Sequence, residues 1–312
     1  MKVCVFGSGG VGAYFGARLA ASGADVTFVA RGDNYKEMRN SGLKLTGISG
    51  HLHLPEIQVV EQPIDHAPYQ LVIVAVKAWQ VKQAGIDIKG ALDENTIVLP
   101  LQNGIDASDE LAEILGSGNV ITGLCGIVSF LKEPGHVHHA GVEPFIKVGE
   151  RDGSESKRIG GLVNFLNSAD GITASAPDDI RVAYWLKFMF IVTMSGIGAI
   201  TRAPLGITRE DTVLRSIMTE CATEVFNVAS EKGVPLPSDS VENIMKMIDE
   251  APAEATASMQ RDIMTGKPSE LYSQNLAVVR LGRESGVETP INSFLGAALT
   301  PLERKARGEL EF

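Results

Sequence analysis

The sequence predicts an α/β chain, with a doubly wound parallel sheet over residues 1–176 followed by an all-helical domain over residues 177–312. Three observations predict this. From residue 1 to about 149, short β-branched runs alternate with amphipathic helical stretches. Those runs are apolar throughout rather than at every second position, the mark of parallel strands covered on both faces. Beyond Pro177 the hydrophobic period becomes 3.6 residues, with hardly a strand pattern left. A length of 312 residues, about twice the usual single domain, fits two domains.

The elements follow in order. KVCVFG reads as a strand and residues 10–21 as a helix; DVTFVA, LVIVAV, TIVLPL and VITGLCGIV read as further strands. Each of the main runs ends in a small or polar cluster, GSGG, RGDN, KAWQ or QNG. Ligands collect at the carboxyl ends of strands in open α/β sheets, so these clusters are expected to share one cleft. EPGHVHHAG to FIKVGE reads as a short hairpin closing the domain, with another strand near residues 171–174. Helices are expected over residues 179–194, 211–232, 238–247, 254–265, 270–285 and 291–306, with EKGVPLPSD and GVETPIN as loops. Asp178-Asp179 reads as a helix N-cap.

A net charge of -10 and a pI near 5.2, without any Lys/Arg run, argue against a nucleic-acid partner. Cys4, Cys125 and Cys221 have neither disulfide nor metal spacing. MKVCVFGSGG is not a signal peptide, so a reducing, cytoplasmic setting is expected. Residues 182–200 are nearly all apolar and approach the ~20 residues that span a bilayer. Lys187 at depth, a Ser-Gly-x-Gly break at Ser195 to Gly198 and the lack of a second span favour a helix buried between domains.

The first strand runs into Gly7-Ser8-Gly9-Gly10-Val11-Gly12, which matches G-x-G-x-x-G and is followed by a helical period. Glycines there permit a tight turn, close backbone approach to a pyrophosphate, and close helix–strand packing, while the helix N-terminus faces the anion. This makes the N-terminal domain Rossmann-type. About twenty residues further on, the second strand ends at Arg31, where an NAD enzyme usually carries a carboxylate; arginine suits the 2′-phosphate of NADP. The alternative is a solvated Arg31, with Asp33 reading an NAD ribose. Lys77 in VAVKAWQ and Asn103 in LPLQNGI stand at later strand ends, where the ribose and nicotinamide side of the cofactor would come.

GSGGVGAYFGARLAASGADVTFVAR, VKAWQ, LQNGI, a lysine in an apolar helix, GKPSEL and GVETPIN, in this order, closely resemble the ketopantoate reductase family, over residues 1 to about 297. The resemblance implies a Rossmann domain followed by a helical domain and NADPH-dependent reduction of 2-dehydropantoate to D-pantoate on the way to pantothenate and coenzyme A. It implies that Lys187 is the catalytic lysine and Glu270 the motif glutamate. It makes Ser258 the serine holding the substrate carboxylate, Asn103 the asparagine beside nicotinamide and lysine, and Arg31 and Lys77 the NADP-phosphate and cofactor-side residues. The chain departs from the family at Ile191 and Ser195, which replace asparagines, and at Leu271, where a polar residue is usual.

Physical chemistry is compatible with that role for Lys187. Reduction of a 2-oxo acid needs a proton at the carbonyl oxygen as negative charge develops, and an ammonium both stabilises that charge and supplies the proton. Burial lowers a lysine pKa and a carboxylate such as Glu270 raises it again. The bland alternative is a lysine that snorkels to water. His136, His138 and His139, read as a loop cluster, lack further ligands at metal spacing; Trp79 and Trp185 read as packing; Ser129 and Ser258 lack a G-x-S-x-G setting. Two other functions stay open: reduction of a more apolar or aryl 2-oxo acid, from Ile191 and Leu271, and non-catalytic NADP(H) sensing. An apolar helical domain is compatible with a homodimer.

Overall fold

The computed structural model describes all 312 residues, which divide into two compact units: residues 1–102 with 106–181, and residues 103–105 with 182–312. The first unit contains β1 (Lys2–Phe6), α1 (Gly10–Ala21), β2 (Asp25–Val29), α2 (Gly32–Ser41), β3 (Leu43–Gly47), β4 (Leu52–Leu54), β5 (Gln58–Val60), β6 (Leu71–Val74), α3 (Val81–Ile88), β7 (Ile97–Pro100), α4 (Ala107–Leu115), β8 (Thr122–Glu133), β9 (His136–Gly149), α5 (Lys157–Leu166) and β10 (Thr173–Ser175).

Five of these strands form a wholly parallel sheet in the order β5-β2-β1-β6-β7. Sequence order reverses between β1 and β6, which is the switch point where such sheets open a crevice. The continuous apolar runs have the expected cause: both faces are covered. Val3 and Val5 point into a core with Phe15 of α1 and Leu162 of α5. Their neighbours Cys4 and Phe6 point the other way, against Val81 and Ile88 of α3 and Leu111 of α4. Cys4 is a core residue, its thiol pushed well up by burial.

The expected short hairpin is longer. β8 and β9 pair antiparallel over 12 and 14 residues around Pro134-Gly135, and Gly135 takes the φ of +69° that the tight turn requires. β9 also pairs in parallel with β3 and, near its end, with β10, making a second five-stranded sheet. This corrects the loop assignment of the histidines, which are strand residues. The Thr46 hydroxyl lies 2.9 Å from His136 Nε2 and 3.1 Å from His138 Nδ1, and His139 is buried with Nδ1 2.8 Å from Ser49 Oγ.

The second unit is helical: α6 (Ile180–Thr201), α7 (Leu205–Glu210), α8 (Thr212–Glu231), α9 (Ser240–Glu250), α10 (Ser258–Met264), α11 (Asn275–Ser285) and α12 (Pro290–Ala306). The Asp179 carboxylate accepts from the Arg181 N–H at 2.8 Å, in keeping with the N-cap reading. Asp211 caps α8 in the same way, accepting from Val213 and Leu214 at 3.0 and 2.9 Å. α6 is long and apolar enough to cross a bilayer by length and composition, and 61% of its most apolar window is buried in protein.

The expected break at Ser195 to Gly198 is absent: α6 runs straight through. Those glycines serve packing instead. A Cβ at Gly196 would stand 2.7 Å from the Asn275 amide and 2.9 Å from Leu295, and one at Gly198 would stand 2.5 Å from Gln260 Oε1. The expected helix over residues 270–285 is also corrected. A single 3-10 turn at Leu271–Ser273 precedes α11, because Gln274 takes φ -116° and ψ -104°, outside helical geometry.

GVETPIN is a loop that runs into the first turn of α12, with Thr289 and Asn292 buried. Pro290 opens α12, and the Glu224 carboxylate of α8 accepts from the N–H groups of Ile291 and Asn292 at 2.6 and 2.9 Å and from Asn292 Nδ2 at 2.7 Å. Asn292 Oδ1 in turn accepts from Asn275 Nδ2 at 2.9 Å and from the Cys221 thiol at 3.6 Å. Burial, reinforced by the charge of Glu224, pushes that thiol up to about 12, so it stays protonated and inert at neutral pH.

Candidate active site

The glycine loop is shaped by what its residues lack. Gly7 has φ +102°, and a Cβ there would stand 2.8 Å from the Val76 backbone nitrogen, so the loop after β1 can lie directly on the loop after β6. A Cβ at Gly12 would come within 2.2 Å of the Gly7 carbonyl oxygen and 3.1 Å of Val5, and one at Gly10 within 2.5 Å of the Ser129 carbonyl oxygen. Gly9 differs: a Cβ there would meet nothing within 4 Å. Its glycine is not required by packing within the protein; it leaves room over the start of α1.

That helix end suits an anion. Gly9 is the N-cap and supplies no side-chain acceptor, and the first turn, Gly10-Val11-Gly12, has no acidic residue. The helix N–H groups and positive dipole end therefore present an electrostatic environment that favours an anion. Ser8 ties the loop down instead of capping the helix: its N–H and Oγ both donate to the Val29 carbonyl, at 3.2 and 2.9 Å. Asn34 adds a brace that sequence reasoning missed. Its Nδ2 donates to the Ser8 carbonyl and its Oδ1 accepts from Gly135 N–H, both at 2.9 Å, joining the loop to the hairpin turn. No spacing rule announces Asn34, because its two partners lie 26 and 101 residues away.

Arg31 follows β2 and is the N-cap residue of α2. It is exposed, with Nη2 2.9 Å from Asp87 Oδ2. Asp87 also accepts from Gln83 at 2.7 Å. Asp33 is solvent-exposed and paired with Lys36 at 3.0 Å. Lys77 is exposed, directly after the Ala75 and Val76 that pack on Gly7, with its ammonium 5.7 Å from the Trp79 ring. Gln102, also missed, is buried at the end of β7 and donates to the carbonyls of Val74 and Val76 at 2.9 and 3.1 Å, binding the β6 and β7 loops together.

The other predicted residues belong to the helical unit. Lys187 is half-buried on α6, between buried Trp185 and Phe188, whose rings meet edge to face at 5.7 Å. Ile191, one turn on, is half-buried, and Ser195 is buried. Ser258 is the first residue of α10 and half-buried; the following turn is fixed by Gln260, whose Nε2 donates to the Ala203 carbonyl at 2.9 Å. Glu270 is 6% exposed at the start of the Leu271–Ser273 turn, and Leu271 is fully buried. Asn103 is half-buried beside Gly104, which has φ +105° and whose Cβ would stand 2.6 Å from the Ser273 carbonyl oxygen. The segments of Asn103 and Glu270 are thus brought together in one unit, and the glycine loop, Arg31 and Lys77 together in the other.

Comparison with known proteins agrees with this fold. The family described as ketopantoate reductase PanE/ApbA matches residues 3–153, and its C-terminal part matches residues 179–303. A 2-dehydropantoate 2-reductase of Archaeoglobus fulgidus is 30% identical over 296 residues, covering 94% of this chain and 95% of that protein. An uncharacterized oxidoreductase of Bacillus subtilis, YkpB, is 28% identical over 273 residues, 86% of this chain and 88% of its own. The crystal structure of a 2-dehydropantoate 2-reductase from Geobacter metallireducens superposes with a TM-score of 0.90 at 28% identity, covering 96% of this chain and 99% of that one. With a glycine cradle on a parallel sheet, a helical unit carrying the lysine and glutamate, and relatives matching nearly end to end, the chain belongs to the ketopantoate reductase family.

Proposed function

We propose that this chain reduces 2-dehydropantoate to D-pantoate with NADPH, in the cytoplasm, as a step toward pantothenate and coenzyme A. Family membership makes it an oxidoreductase acting on a 2-oxo acid. The observation that carries the substrate is the similarity to the Archaeoglobus fulgidus 2-dehydropantoate 2-reductase, 30% identical over 94% of this chain. In this reading residues 1–176 bind the dinucleotide and residues 177–312 bind substrate and perform the acid chemistry.

NADPH, when bound, supplies the hydride to the carbonyl carbon. The chain's own residues do the rest. N–H groups of Gly7-Ser8-Gly9-Gly10-Val11-Gly12 and the α1 dipole take the pyrophosphate. Arg31, exposed and able to exchange Asp87 for a 2′-phosphate, selects NADP, and Lys77 supplies a second cation on the cofactor side. Asn103 orients the nicotinamide side and the carbonyl, and Ser258 donates to the substrate carboxylate. Lys187 polarises the carbonyl oxygen, stabilises the developing alkoxide and gives it a proton. Glu270 is the acidic residue that this reading places with Lys187 in the acid chemistry.

One observation favours a second reading. Half-buried Ile191 lies one turn beyond Lys187, so a more apolar or aryl 2-oxo acid is the competing substrate; Leu271, expected to add to such a pocket, packs instead in a core with Met259, Ile263 and Leu299. Turnover of ketopantoate, benzoylformate and branched 2-oxo acids with NADPH and with NADH separates the readings. Fastest turnover of ketopantoate with NADPH is expected. Preference for benzoylformate moves the assignment to the second reading, preference for NADH removes the role given to Arg31, and tight NADPH binding without turnover leaves a sensor. Lys187→Ala is expected to lower kcat by at least ~100-fold while NADPH affinity holds.

A further inference from the structure

The loop that carries Glu270 is clamped from the last helix. Ser269 and Glu303 are both fully buried. The Glu303 carboxylate, on α12, accepts from the Ser269 backbone N–H at 2.9 and 3.1 Å and from the Ser269 hydroxyl at 2.5 Å. Arg307, one turn further on, donates from Nε to Glu303 at 2.6 Å and from Nη2 to the Ser269 carbonyl at 3.2 Å. The Ser269 oxygen in turn accepts from the Leu271 N–H at 3.3 Å.

These bonds pin both peptide groups that flank Glu270. The carbonyl of the peptide entering it is held by Arg307, and the N–H of the peptide leaving it is held by Ser269 Oγ. With both peptide planes fixed, Glu270 stays at φ -93° and ψ 26°, and the direction of its Cα–Cβ bond is set. A carboxylate–guanidinium pair with a fully buried Glu303 and a partly exposed Arg307 is weak evidence of net stabilisation, since desolvation offsets much of its attraction. Holding one backbone geometry is the more specific use of it.

We infer that Glu303, with Arg307, is a positioning residue for Glu270, acting through Ser269. The inference rests on Glu270 taking part in the chemistry, as proposed above. Ser269→Ala is the first test, because it removes the two Oγ bonds and leaves the Glu303–Arg307 pair and the Ser269 N–H bond in place. With the best 2-oxo acid of the panel and NADPH, kcat is expected to fall about tenfold, with KM and NADPH affinity within about twofold and the melting temperature nearly unchanged. Ser269→Thr, which keeps the hydroxyl, should restore most of the rate.

Combined with Glu270→Gln, Ser269→Ala is expected to lower kcat by less than about twofold, because a residue acting through Glu270 has nothing left to position. A full tenfold further loss in that background, or wild-type kcat in Ser269→Ala while Glu270→Gln is impaired, overturns the inference and leaves the role of Glu270 intact. Normal kcat in Glu270→Gln overturns the role of Glu270 instead. Amide hydrogen exchange then still reads the clamp without any turnover: in Ser269→Ala and Glu303→Gln the Leu271 amide should exchange at least about tenfold faster while those of α11 hold. Unchanged exchange in both variants overturns the clamp itself.

Discussion

The loop at Gly7 to Gly12 and the loop at Lys267 to Leu271 are built by opposite means. In the first, geometry comes from missing atoms: glycines let one backbone lie on another, and the nearest obstacles to a Cβ are mostly main-chain atoms or small apolar groups. In the second, geometry comes from a buried carboxylate 34 residues away that collects donors from the loop. Glu224 uses the same device on the start of α12, across 67 and 68 residues. A loop shaped by missing side chains is sensitive to one added methyl. A loop held by a distant acceptor is sensitive to that acceptor's removal.

The largest expected effect that sharpens this contrast is Gly12→Ala. Its Cβ would come within 2.2 Å of the Gly7 oxygen and 2.9 Å of Ala75, so the β1–α1 packing must open. A loss of about 3 kcal/mol in urea unfolding is expected, with NADPH binding lost as well. A variant as stable as the parent would show that the close packing is not what fixes this glycine. Next comes Glu224→Ala. It leaves the Ile291 and Asn292 N–H groups of a part-buried helix start without their acceptor, and about 2 kcal/mol is expected to go. Equal stability of variant and parent in thermal melts would break the comparison on the helical side.

Gly9→Ala gives the smallest change in stability and the cleanest separation within one loop. Gly9 has φ -82° and open space around its missing Cβ, so alanine fits the fold and the melting temperature should hardly move. If that space receives a pyrophosphate, calorimetric titration should show NADPH affinity down by about tenfold or more. Undiminished affinity would mean that the cofactor backbone does not approach at Gly9.

Much of the first unit was legible in the sequence because its determinants are local. The runs VCVF, LVIVAV and IVLPL are apolar at successive positions, and both faces of β1, β6 and β7 are buried. The glycine spacing is a local demand of one turn, and Asp211 sits directly before the N–H groups it caps. The second sheet was less legible. β3 and β4 are short, and β3 is held by pairing with β9 some ninety residues on, so nothing within their own span marks them strongly. α2 was missed for a related reason: GDNYKEMRNS buries only Met38 and shows no apolar stripe.

By itself the sequence determined the parallel sheet, the glycine turn that suits a dinucleotide, the lysine kept in an apolar helix and the family to which they belong. The first three rest on residue spacing within a few turns or strands, and the family on the order of such motifs along the chain. Tertiary structure alone decided that Ser195 to Gly198 continue α6 instead of breaking it, because Asn275, Leu295 and Gln260 occupy the space their side chains would take. It alone decided that residues 270–285 are not one helix, with the Glu270 backbone held from Glu303 and Arg307. A buried polar group must find its partner wherever the fold supplies one, and that partner's distance along the chain is fixed by packing rather than by periodicity.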